Sequence, residues 1–165
     1  MFEQSVMVPG DVRRGTQVGP SRGGLPTATQ LLCSFQGTKF ADHDLLRSAH
    51  ALAVLHTHRA AMNDARLVAE VDNRRRELVE DIDDWVHERA PLRHDGLIHI
   101  ETLGAVIDRM AWGWVDANQA VETDGSRDHH ARKRWHRLAE LIDGYTELIT
   151  EVVGGRRRLP VRLPA

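Results

Sequence analysis

Between Ala41 and Ala90 the chain runs for 50 residues without a Gly or a Pro, so the two residues that most readily stop a helix are absent. One straight helix of that length would extend about 75 Å, too long for a domain of 165 residues. The window must fold back on itself. Met62-Asn63-Asp64 is the best hinge, because a short side-chain oxygen on Asn63 or Asp64 can accept from the free N–H groups of a new first turn. Two antiparallel helices are expected. At 100° per residue, Leu45, Ala49, Leu52, Ala53, His56 and Ala60 share one stripe, and Leu67, Val71, Leu78, Ile82 and Trp85 share another.

Gly and Pro punctuate the rest. Six of 13 Gly and three of six Pro fall within residues 1–40, which predicts an irregular, disordered leader over 1–24. A short helix is expected over Leu25–Phe35, stopped by Gly37. Residues 91–100 read as a loop around Asp95-Gly96. A third long helix follows from about Glu101 to Val121, with Leu103, Ile107, Met110, Trp114 and Ala117 inside. The fourth, His129 to Val153, should bury Trp135, Leu138, Ile142, Tyr145, Ile149 and Val152 and stop at Gly154-Gly155. The expected fold is all-α: an up-and-down bundle of four main helices with a short N-terminal helix, spanning 25–155. Residues 156–165 read as a basic tail in solvent.

Several function classes fall away. A net charge of −2 argues against a nucleic-acid partner, and no apolar run of about 18 residues exists for membrane insertion. Cys33 stands alone, and residues 1–20 lack the apolar run of a secretory signal, so a cytoplasmic protein is expected. Cys33 has no His or basic neighbour to hold a thiolate and reads as a small apolar group. There is no phosphate loop, dinucleotide fingerprint or zincin motif. His129, His130 and His136 sit among Arg and Lys, where another cation is disfavoured. Asp84-x-x-His87 occurs once, whereas a dinuclear carboxylate site needs two such motifs and two further Glu. Neither metal nor cofactor is expected.

Chemistry enters where the apolar stripes are broken. His56 lies within about 20° of Leu45 in mid-stripe, with Arg59 at the edge. Such an imidazole needs a partner. It reads as a satisfied core histidine, an acid/base or substrate-binding group, or a metal ligand. Arg74 and Arg75 flank the second stripe, so at least one guanidinium points toward other helices, with Asp72 or Glu101 as its ion-pair partner. An Arg left without a fixed carboxylate would instead hold an anionic small molecule. On the third helix, Glu101, Gly104, Asp108, Trp112 and Val115 share a face opposite Leu103 and Met110. Gly104 costs about 1 kcal/mol of helix propensity, which implies a close approach there.

Two functions follow from this pattern. In the first, the protein is a binding or assembly bundle: a homo-oligomer joined through Gly104, Trp112 and Val115, with Arg59, Arg75 and Arg109 available to an anionic small molecule. In the second, it is a small-molecule enzyme with His56 as general base, Glu101 or Asp108 orienting it, and the arginines holding substrate.

The segment Glu101-Thr102-Leu103-Gly104, followed by Ile107-Asp108-Arg109-Met110, resembles a bacterial family of unknown function, DUF4254, in its shorter actinobacterial form. Leu25-Pro26, Leu31-Leu32, Leu55-His56 with Arg59, Arg74-Arg75-Arg76, Ile82-Asp83-Asp84-Trp85-Val86, Gly144-Tyr145 and Glu151 to Pro160 extend the resemblance over about 25–160. Leu103 stands where many members carry Pro. The resemblance implies an all-helical bacterial protein in which Glu101, Gly104, Asp108 and Arg109 belong to a shared pattern. It implies no activity.

Overall fold

The computed structural model describes residues 24–40, 42–90 and 95–160. Asp64 accepts from the N–H groups of Arg66 and Leu67, and that cap divides the long Gly- and Pro-free window into α2 (Asp44–Ala60) and α3 (Ala65–Arg89). Ahead of them, α1 (Ala28–Phe35) begins with a capping box in which Thr27 and Gln30 exchange bonds. Thr102 caps α4 (Leu103–Asp124) by accepting from the Ala105 N–H, and Asp128 caps α5 (His129–Val153). The fold is an all-α bundle, and α5 has the limits that periodicity predicts. Residues 1–23 of the 1–24 leader, Ala41, part of the 91–100 loop and the final five residues lie outside the described residues.

Ion pairs and close contacts fix the directions. Asp44 meets Arg89 and Arg59 meets Asp72, so α2 and α3 are antiparallel. The carboxylate of Asp83 accepts the Gly104 N–H and that of Asp108 meets Arg75, so α3 and α4 are antiparallel too. Asp116 pairs with Arg134 across α4 and α5. Helix α4 is central: it packs against α1, α2, α3 and α5, whereas α3 and α5 do not touch each other among the described residues. Leu52, Ile82, Ile107, Met110 and Tyr145 are all essentially inaccessible in the core.

Gly104 explains how closely α3 and α4 approach. A Cβ there would collide with the Val79 carbonyl oxygen and lie 2.8 Å from Asp83 Oδ1, so the glycine admits the backbone of α3. Gly104 was expected on an outer contact face; it is buried within the chain.

Four other expectations are corrected. Leu67 and Trp135 are 46% and 43% exposed, and Ala60 is exposed as well. Periodicity marks an apolar face but does not supply something to cover it. The tail does not leave into solvent at Arg156. Gly155 adopts φ 74°, and the returning chain pairs β2 (Arg157–Arg158) in parallel with β1 (Leu97–Ile98). Arg157 then bonds Glu151 at 2.6 Å, and Leu159 is buried in the core. Gly96, at φ +117°, permits the contact, because a Cβ would stand 2.9 Å from the Arg156 carbonyl.

Candidate functional site

His56 is the buried polar group of α2, 6% exposed, and Nε2 lies 2.8 Å from Asp108 Oδ1. The carboxylate of Asp108 also receives Arg75 Nε at 3.2 Å. Arg75 Nη1 donates to Asp72 at 2.7 Å, and Asp72 accepts from Arg59 Nε at 2.8 Å. The result is a hydrogen-bonded chain, His56–Asp108–Arg75–Asp72–Arg59, tying α2, α3 and α4 together. Of the two arginines flanking the α3 stripe, Arg75 turns inward; Arg74 pairs with Glu77 at the surface.

This chain forms one wall of a cleft of about 420 Å³. The lining comes from His56, Arg59 and Ala60 of α2, Arg75 of α3, and Asp108, Arg109, Trp112, Val115, Asp116 and Gln119 of α4. On α4 these positions recur every three or four residues and so form one continuous stripe. The volume falls in the range of small-molecule sites.

The cations are not held equally. Arg75 and Asp108 are 28% and 18% exposed, and each has a second partner. Arg59 and Arg109 are 43% and 46% exposed, and their carboxylates Asp72 and Glu101 are also open to solvent. The Arg59 guanidinium beside Asp72 holds that carboxyl below the usual range, and Asp72 in turn raises Arg59. Arg109 does the same to Glu101. Exposed pairs of this kind are weak and exchangeable, because water and salt screen them.

Of the sequence-derived candidates, the structure brings together His56, Asp108, Arg59, Arg75, Arg109, Trp112 and Val115. It does not bring Glu101 to His56: Glu101 pairs with Arg109 and does not line the cleft. Glu101 stands ahead of the Thr102 cap, outside α4. Val115 is buried and lines the cleft, so only Trp112 of the three expected contact residues remains at the surface. Asp116 and Gln119 were not singled out from sequence, although Asp116, four residues past Trp112, falls on its face. No group of three or more His, Cys, Asp or Glu among the described residues could hold a metal ion. No helix among them is long and apolar enough to cross a membrane.

The class these features define is an all-α bundle with a charged cleft beside a central helix. The chain belongs to the family described as protein of unknown function (DUF4254), whose model matches residues 38–161. No curated protein and no solved structure matches it.

Proposed function

We propose that this is a cytoplasmic binding protein for a small molecule bearing an oxyanion, held in the α2–α3–α4 cleft. One observation carries the reading: guanidinium groups from three helices converge there, and two of them, Arg59 and Arg109, are committed only to carboxylates that are themselves open to solvent. A ligand phosphate or carboxylate can replace Asp72 and Glu101 at little cost and gains two planar donor forks. Arg75 and Asp108 stay paired and form the rigid backing. The expected result is a rise in thermal midpoint on adding inorganic phosphate, pyrophosphate or acetate, lost in Arg59→Ala/Arg109→Ala. An unchanged midpoint, or a rise that survives the double substitution, overturns the reading.

A second reading, a small-molecule enzyme, is favoured by the 2.8 Å contact of His56 with Asp108. With Nε2–H donated to the carboxylate, neutral His56 keeps a basic Nδ1 and serves as a general base. Under it, His56→Asn and Asp108→Asn retain the fold and oxyanion binding but abolish turnover. Assembly through Trp112 alone predicts instead that Trp112→Ala lowers the native mass.

A further inference from the structure

Trp112 stands apart from the paired aromatic rings of this protein. Phe35 meets Trp114 at 6.4 Å between ring centroids, Phe40 stacks on His50 at 4.2 Å, and His43 lies 5.0 Å from Trp85. Trp112 has neither ring nor cation partner among the described residues and is 42% exposed on the cleft wall. An indole left wet in a concave site forfeits burial that a second ring restores, and stacked or edge-on ring pairs add to it. Val115, one turn further along α4, is buried and adds an aliphatic wall. Arg109, one turn earlier on α4, lines the same cleft.

We infer that the cleft takes a flat aromatic or heteroaromatic acid, with the ring against Trp112 and the oxyanion between Arg59 and Arg109. The inference rests on the oxyanion reading above and adds the ring subsite to it. Aromatic phosphates and aromatic carboxylates share this chemistry, and the experiment separates them.

The test is calorimetric titration of the full chain with four probes: inorganic phosphate, phenyl phosphate, acetate and benzoate. Within the pair that binds, the ring-bearing acid is expected to bind about tenfold more tightly than its ringless counterpart. That pair also identifies the acid group. Trp112→Leu should shrink the difference to about twofold or less, Trp112→Phe should retain part of it, and Trp135→Leu, outside the cleft, should leave it whole. If Trp112→Leu does not fold, Trp112→Phe decides by the same difference. Equal affinities within each pair in the parent chain, or a full difference of about tenfold that persists undiminished in Trp112→Leu or in Trp112→Phe, overturn the ring subsite while the oxyanion cleft stands. No binding by any of the four probes overturns both.

Discussion

Two seams of the bundle treat polar groups in opposite ways. Where α5 meets α1, Tyr145 is buried and its hydroxyl donates to the Pro26 carbonyl at 2.6 Å, a neutral donor with one neutral acceptor. Where α2, α3 and α4 meet, His56, Asp108, Arg75, Asp72 and Arg59 share a chain of ionic contacts that becomes more exposed toward Arg59. Full burial admits polar groups one bond at a time, because each unpaired one carries its full desolvation cost. Charges gather where water still reaches. Such a network is not the best way to stabilise a helix seam, since packed apolar residues of similar volume often do as well or better. Its place in the wall of a cleft is therefore the argument for a role beyond stability.

The contrast can be broken at several points. The largest effect is expected at the α3–α4 approach that sets the cleft's geometry: Gly104→Ala should cost about 3 kcal/mol in urea unfolding, because the new methyl group meets backbone rather than a flexible side chain. Asp108→Ala comes next, at about 2 kcal/mol, because it strips His56 of its carboxylate and Arg75 of one of two. A His56→Leu/Asp108→Leu chain more stable than Asp108→Ala would show that the network is not held for stability. If the double variant is the weaker, the comparison between seams fails.

Tyr145→Phe should cost about 1–2 kcal/mol by leaving the Pro26 carbonyl unpaired. Burial also pushes the Tyr145 hydroxyl well above its ordinary pKa. Its stabilisation is then complete below about pH 10 and lost as pH rises beyond it. Alkaline melts should show this slope in the parent chain and not in Tyr145→Phe. His43 gives the opposite sign. Burial lowers its pKa, and both ring nitrogens lack a hydrogen-bond partner. Its contribution is present above about pH 6.5 and lost as pH falls through the depressed value. His43→Phe should flatten the melting midpoint between pH 7 and 5. Smallest of all, Arg59→Ala should leave the unfolding midpoint unchanged while weakening phosphate binding, a separation of stability from binding that the α1–α5 seam cannot offer.

Much of the scaffold is legible in sequence because helical period, caps and glycine stops act locally: Asp64 divides one window into two helices, and α5 falls where its apolar stripe begins and ends. The β1–β2 contact was not legible. Two-residue strands carry no alternation, and the pairing depends on where Gly155 throws the chain. Exposure of Leu67 and Trp135 was equally hidden, since it depends on which neighbours reach them. In the site, His56 announced itself by interrupting an apolar stripe, whereas Asp108 was one of two carboxylates on the face away from Leu103 and Met110, and only the packing of α2 on α4 chose it. Glu101 shares the Asp108 face only if the helix starts there; α4 starts at Leu103, and Glu101 pairs with Arg109 instead. Asp116 and Gln119 looked like ordinary helix surface, and only the gap beside α2 makes them part of a wall.

The most direct test is a nuclear magnetic resonance titration that follows the arginine Nε–Hε signals as inorganic pyrophosphate is added. Saturable shifts at Arg59 and Arg109, with Arg75 moving less and the exposed Arg74 and Arg156 silent, are the predicted outcome. Shifts spread evenly over the exposed arginines, or none at Arg59 and Arg109, would contradict it.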